Sequence, residues 1–218
     1  MLRRTLPCSG LVVLLRPVLH GGLLGGLFRG ALRSPERAVA ELRATAALRA
    51  AGAPVPRPAL VAARRSGLAW HAWVATVFEP DAPDVPSWLA KDPSRERVLS
   101  AARACARAVR HFHDAGGSHA DLHVKNLLVR ETPAGCEAVV VDLDGARAGA
   151  PPDPARRMRE LARLYRSGLK RGIAERIGLQ GHRIFLQAYV DGDVRLGAAL
   201  ARHWPRERRR VAWHARLY

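Results

Sequence analysis

The sequence predicts an α+β fold in two lobes, a small mixed strand and helix lobe over residues 1–80 and a mainly helical lobe over residues 81–218. Three observations lead there. Leu11–Leu15 and the Trp- and Val-rich run Leu68–Phe78 have strand length and composition, with one helix signal between them. Acids and prolines then cluster at Glu79-Pro80-Asp81 and Pro83-Asp84, the composition of a connector. Beyond it helical patterns dominate, over about 95–115 and again from about Pro154.

In chain order, Leu11-Val-Val-Leu-Leu reads as a buried strand, and the pairs Gly21-Gly22 and Gly25-Gly26 break the pattern. Ser34-Pro35-Glu36 opens a helix as N-cap, first helical residue and first-turn acid, and Gly52 stops it after about Ala51. Ala53-Pro-Val-Pro-Arg-Pro58 reads as an extended linker. The long helix ends at Gly116-Gly117, followed by a loop, a strand over 126–129, a turn over 133–135 and a strand over 138–141. No internal repeat or low-complexity tract is present.

The composition sets bounds. At 218 residues and 48% apolar, the chain buries a core without metal or disulfide staples. Cys8, Cys105 and Cys136 are odd in number and form no CxxC pair, which argues against a disulfide framework and a thiolate zinc site and for a reducing cytosol. The basic start Met1-Leu-Arg-Arg resembles a signal peptide, but its apolar run closes at Arg16-Pro17, so secretion is not expected. No stretch reaches the ~18–20 apolar residues of a membrane span. The net charge of +17, carried by Arg with only three lysines, draws the protein to phosphates, nucleic acid or an anionic membrane face in a salt-sensitive way.

The most specific signal is His119-Ala-Asp-Leu-His-Val-Lys-Asn126 followed by Leu-Leu-Val, which matches the catalytic-loop pattern H-x-D-L-x-x-x-N in type and spacing. Phosphoryl transfer needs a carboxylate, here Asp121, to take or orient the acceptor hydroxyl's proton, and an amide oxygen, here Asn126, on a metal that bridges phosphates. About twenty residues later the apolar strand Val139-Val-Val ends in Asp142-Leu-Asp144-Gly145, the place of a D-F-G segment, with Asp142 the expected Mg²⁺ ligand. Asp144 stands where that pattern has glycine and offers a second metal contact. His111, His113, His119, Asp121 and His123 also have the spacing of a metal-hydrolase cluster, a reading that leaves Asn126 and the Asp142 strand end unexplained.

On these motifs, with Leu15-Arg16, Glu41-Leu-Arg, Ala47–Pro58 and Thr76 ahead of Pro80, the chain resembles the bacterial lipopolysaccharide core kinases from about Leu14 to about Leu169. It is most similar to the 3-deoxy-D-manno-octulosonic acid (Kdo) kinase family. The resemblance implies a protein-kinase-like fold, ATP and Mg²⁺ as cofactors, and a position peripheral to the inner face of a bacterial cytoplasmic membrane. It further implies Arg16 as the cation at the nucleotide phosphates and Glu41 as its helix partner, with His119 bracing the loop. In that family a nucleotide-covering hairpin precedes the basic residue, whereas fifteen residues precede Arg16, too few for two strands, a glycine loop and the next strand. Gly21 to Gly26 follow Arg16 and do not take that loop's place.

About ten residues separate Asp144 from the helix near Pro154, and no A-P-E follows, so a peptide platform is not expected. The favoured acceptor is a sugar or glycolipid, in agreement with the resemblance, which points to the Kdo residue of the inner core. An aminoglycoside or amine alcohol is the alternative acceptor. A non-catalytic kinase-like module is the alternative from another class, and specific nucleic-acid binding has no motif behind it. Arg156, Arg159, Arg163, Arg166 and Lys170 share a helical face opposite Met158, Leu161, Tyr165 and Leu169. That basic face reads as solvated surface or as a docking surface for an anionic lipid or glycolipid, and the tail from Arg202 to Tyr218 interleaves aromatics with charge in a way that permits interfacial or nucleic-acid contact.

Overall fold

A computed structural model describes residues 2–7, 9–19 and 32–215 of the chain. It is α+β, as expected. Strands β1 (Leu2–Thr5), β2 (Val12–Pro17), β3 (Pro58–Ser66) and β4 (Ala69–Val77) form an antiparallel sheet in the order β1-β2-β4-β3. The apolar run of β2 is central because both its edges are paired, with Arg4 opposite Val13 and Val13 opposite Val77. The turn joining β1 to β2 closes through the Leu6 N–H bonded to the Leu11 carbonyl at 2.8 Å, and Gly10 takes the positive φ of 63° that it requires. The glycine pairs between 21 and 26 lie outside the described residues.

Helix α1 (Glu36–Ala50) follows β2 and packs on the sheet, with Ala38 buried against Val18, Leu32, Ala72 and Val74. Its N-cap is Pro35 and not Ser34, and no side chain caps it, so the expected Ser-Pro-Glu start is displaced by one residue. At the other end Gly52, at φ 85°, turns the chain as expected. The proline-rich segment after it is no free linker. Ala53 and Val55 are buried with Leu48 in the larger core, and the Pro54 carbonyl accepts from the Val140 N–H at 2.8 Å.

The second half is built around helix α3 (Arg95–Asp114), whose Val98, Cys105, Val109 and Phe112 are buried. It is preceded by α2 (Val85–Leu89), capped by Asp84. The two-residue strand β5 (Gly117–Ser118) follows α3, then the hairpin β6 (Leu127–Thr132) with β7 (Gly135–Val140). Strand β8 (Arg147–Ala148) pairs back onto β5. Helices α4 (Pro154–Leu169), α5 (Ile173–Val190) and α6 (Val194–Ala215) complete the chain, with α5 interrupted at Gly178 and Pro205 inside α6.

The hairpin is held on both edges by proline carbonyls: Pro54 receives Val140, and Pro83 receives the Val129 N–H at 2.9 Å. Proline has no N–H to donate, yet its carbonyl accepts freely, so it suits an edge partner. These bonds seat the hairpin between the segment after α1 and the segment before α2. Among α2 to α6 the fold also encloses an apolar cavity of about 610 Å³, walled by residues such as Trp88, Met158, Phe185 and Trp204. None of Arg16, Glu41, Asp121, Asn126 or Asp142 lines it.

Candidate functional site

The hairpin register places the two sequence motifs side by side. Leu127 lies opposite Val140, and one step further the Val141 N–H donates to the Asn126 carbonyl at 2.9 Å. Asn126 and Asp142 therefore leave the same end of one hairpin, although sixteen residues separate them in sequence.

His119 fastens the loop to that end. Its Nε2 lies 3.2 Å from the Val141 carbonyl and its Nδ1 accepts from the Asp121 N–H at 3.1 Å. Both contacts are satisfied by the neutral imidazole with its proton on Nε2, and burial pushes the ring's pKa below its ordinary value. Asn126 Nδ2 donates to the Asp121 carbonyl at 3.0 Å, which leaves the amide oxygen as the group's acceptor. Asp121 keeps its carboxylate in solvent, 74% exposed, with His123 Nε2 at 3.6 Å.

The strand side supplies the cation. Arg16, near the end of β2, hydrogen-bonds Glu41 of α1, while its Nε lies 3.1 Å from Asp142 Oδ1 and its NH1 3.8 Å from Asp144. Arg37, one turn before Glu41, donates to Asp144 Oδ1 at 2.8 Å. Burial opposes the Arg16 charge, but Glu41, Asp142 and Asp144 outweigh it and hold the guanidinium pKa above its ordinary value. At Glu41 burial prevails over the pull of Arg16 and raises the carboxyl. Asp142 adopts φ 58°, a left-handed conformation uncommon outside glycine, asparagine and aspartate.

Two guanidiniums face three carboxylates here, a surplus of one negative charge. Asp142 Oδ1 makes no hydrogen bond to a described residue, since the Arg16 Nε contact is ionic and poorly aligned, and Glu41 Oε2 has none either. A carboxylate and an amide oxygen carried by one hairpin end are hard donors, and Mg²⁺ takes one or two such protein ligands together with substrate phosphates. Asp144, left open by the sequence as a second metal contact, pairs with Arg37 as Asp142 does with Arg16. Among the described residues no group of three or more His, Cys, Asp or Glu side chains is arranged to hold a metal ion. The hydrolase cluster is not assembled: His111 is exposed on α3, while buried His113 engages Tyr189 Oη at 2.7 Å and Glu160 at 3.1 Å.

Glu160 and Ser167, both on α4, are the residues that sequence reasoning missed. Glu160 is buried and accepts from the His119 N–H at 2.9 Å as well as from His113 and Arg156. Burial opposes its charge, but these hydrogen bonds outweigh it and hold the carboxyl below its ordinary range. Ser167 Oγ accepts from the Val124 N–H at 2.9 Å. A carboxylate at 160, within the apolar stripe of Met158 and Leu161, was a readable signal, because a buried acid requires donors. The serine carried none.

These anchors set the basic stripe of α4 against the loop. A cavity of about 190 Å³ is lined by Asp121 and His123 on one side and by Arg163, Arg166, Lys170 and Arg171 on the other. The stripe does not act as one surface: Arg156 bonds Glu160, Arg159 is exposed, and only the C-terminal members reach this cavity.

The chain belongs to the lipopolysaccharide kinase (Kdo/WaaP) family, whose model matches residues 13–189. The 3-deoxy-D-manno-octulosonic acid kinase of Vibrio cholerae is 32% identical over 121 residues, 53% of this chain and 49% of that protein. That of Stenotrophomonas maltophilia is 34% identical over 167 residues, 72% of this chain and 61% of that protein. A third, from Vibrio parahaemolyticus, is 28% identical over 137 residues and is covered to 55%. The chain thus spans between about half and three fifths of these curated relatives.

Proposed function

We propose that this protein transfers the γ-phosphoryl group of ATP, with Mg²⁺, to a sugar hydroxyl of lipopolysaccharide, and that the acceptor is the Kdo residue of the inner core. The observation that carries the reading is the hairpin end that sets the loop of Asp121 and Asn126 beside Asp142 and the Arg16–Glu41 pair. Family membership and the names of the relatives supply the acceptor class.

In this reading Asp121 accepts or orients the proton of the attacking hydroxyl, and its exposure leaves room for an acceptor. Asn126 and Asp142 hold Mg²⁺, which would neutralise charge on the transferring phosphate. Arg16 positions the nucleotide phosphates, and Glu41 fixes the guanidinium in place. His119 keeps the loop and the strand end in register through its two ring nitrogens. The division near residue 80 then separates a nucleotide lobe from a catalytic lobe, a reading supported by the separate small cluster of Val18, Ala38 and Val74.

The short stretch after Asp144 supports a compact acceptor. Residues 147 and 148 pair with β5, and the Gly149 N–H donates to the Gly116 carbonyl at 3.1 Å, which ties the segment to the end of α3. We further propose peripheral contact with the anionic cytoplasmic membrane face, motivated by the net charge of +17. Among the described residues no helix is long and apolar enough to cross a membrane.

The test is transfer of labelled γ-phosphate from Mg-ATP to a Kdo-bearing lipid A precursor by the wild-type protein and by Asp121→Ala. Transfer that disappears in the variant supports the kinase and its acceptor class together. No transfer by the wild type to this acceptor, to an aminoglycoside or to an amine alcohol overturns the kinase reading.

A further inference from the structure

The cavity beside Asp121 carries more positive charge than a neutral sugar requires. Four cations line it, Arg163, Arg166, Lys170 and Arg171, against one carboxylate, Asp121. The side chains of Arg163 and Arg166 are half-buried, and neither guanidinium makes a hydrogen bond or ion pair with another described residue. Exposed arginines without a carboxylate are common in this protein, but the other half-buried ones, Arg16, Arg97, Arg110, Arg130 and Arg156, all hold carboxylates.

Compensation of the α4 dipole accounts for cations in its last turn, Arg166 among them, and that effect fades beyond one turn. Arg163 lies further back on the same face, and His123 closes the concavity from the other side. The Ser167–Val124 hydrogen bond fixes this basic wall relative to the catalytic loop. The volume, about 190 Å³, lies below the ~300–1,000 Å³ of pockets for drug-sized ligands and suits one sugar residue with a charged substituent.

We infer that Arg163 and Arg166 form an anion subsite for the acceptor, binding either the carboxylate of the sugar whose hydroxyl faces Asp121 or a phosphate on a neighbouring sugar of the same molecule, with Lys170 and Arg171 adding to the field. The inference rests on the reading of Asp121 as the residue that meets the acceptor hydroxyl. Its physical logic is twofold. A guanidinium binds a carboxylate or phosphate through two parallel hydrogen bonds, which orients as well as attracts. Cations around an anionic acceptor also offset its repulsion from the incoming phosphoryl group.

The test uses three acceptors: a Kdo-bearing lipid A precursor, the same molecule with its lipid A phosphates removed, and its Kdo methyl ester. Acceptor KM and kcat are measured for wild type, Arg163→Gln, Arg166→Gln and Arg166→Lys, along with equilibrium binding of each acceptor without nucleotide. Each Gln variant is expected to raise KM for the preferred anionic acceptor about tenfold, the worth of one charge-assisted contact, with less effect on kcat. Arg166→Lys recovers part of that loss. Removal of the recognised anion weakens wild-type binding and makes the Gln variants indistinguishable from it, and the acceptor on which this happens identifies the anion as carboxylate or phosphate.

Equal KM values for all three acceptors in the wild type, or variants that weaken all three alike, overturn the subsite. If no acceptor is phosphorylated, the Kdo reading of the acceptor fails on its own, and the subsite then stands or falls on binding. Retained binding of the anionic acceptor that is lost in the Gln variants upholds it, and binding indifferent to them ends it.

Discussion

Arg16 Nε lies 3.1 Å from Asp142 Oδ1 while the same guanidinium hydrogen-bonds Glu41, so one side chain joins β2, α1 and the segment after β7. The Arg16 side chain is 17% exposed and that of Glu41 is 7% exposed, so the charges are shielded and depend on each other. Arg16→Met leaves Glu41 buried and unpaired and is expected to cost about 3 kcal/mol of stability, together with loss of phosphotransfer beyond about 100-fold. Arg16→Lys keeps the charge but cannot span the acids as a planar fork does, and falls between the two. Urea unfolding and a transfer assay on the three proteins check both expectations.

Asp142 offers a separation of charge from conformation. Asparagine tolerates the left-handed backbone nearly as well as aspartate, so Asp142→Asn preserves the φ 58° turn and removes one carboxylate. The variant is expected to fold with stability within about 1 kcal/mol of wild type, and to need much higher Mg²⁺ for any remaining transfer. Titration of initial rates against Mg²⁺, with melting curves alongside, tests this. A variant with unchanged Mg²⁺ dependence would remove Asp142 from the proposed metal site.

The histidines give a pH dependence of stability with a fixed sign. Burial lowers the pKa of His113 and of His119 in the folded protein, so the native state binds fewer protons there than the unfolded chain does. Their contribution is complete above the unfolded value near 6.5 and is lost as pH falls below it, by up to about 1.4 kcal/mol per pH unit for each ring. Unfolding free energies at pH 7.5, 6.5 and 5.5 are expected to decline in that order. His113→Gln, which keeps a donor for Glu160, should flatten the decline, and a slope unchanged in the variant would exclude this ring as its source.

The motif at His119 to Asn126 and the strand end at Asp142 were legible because their spacing is local and each adjoins an apolar run, Leu127-Leu-Val after the first and Val139-Val-Val before the second. The positions of α3, the Gly52 stop and the turn before β7 were legible for the same reason. The convergence of Arg16, Glu41, Asp142 and Asp144 was not, since partners 25 residues apart, as Arg16 and Glu41, or 107 apart, as Arg37 and Asp144, leave no periodic trace. The family resemblance was needed to link Arg16 with Glu41. Proline misled in two ways: Pro35 displaced the expected cap, and the run 53–58 read as a linker because missing N–H groups conceal working carbonyl acceptors. The basic stripe of α4 was visible, but only the tether from Ser167 to Val124 determines which of its members approach Asp121.

Gly116 is the backbone position on which the segment after Asp144 depends. It holds φ 85°, and a Cβ placed there would overlap the Gly149 carbonyl, a backbone atom that cannot rotate away. The adjoining Gly117 pairs with Ala148 and lies against the Phe112 ring, so the strand cannot retreat from the contact. Gly116→Ala combines a left-handed backbone that alanine disfavours with a steric overlap, and is expected to cost about 3 kcal/mol, or about 6–12 °C in Tm for a chain of this size. The damage should reach activity before the protein melts. Displacing Gly149 pulls on β8, whose pairing with β5 lies directly before His119, so transfer is expected to fall at temperatures where circular dichroism still reports a folded chain. Gly149→Ala is the control: a Cβ at 149 meets no neighbouring atom, and that variant should retain stability. If the two substitutions prove equally mild, the β5–β8 contact does not hold this segment in place.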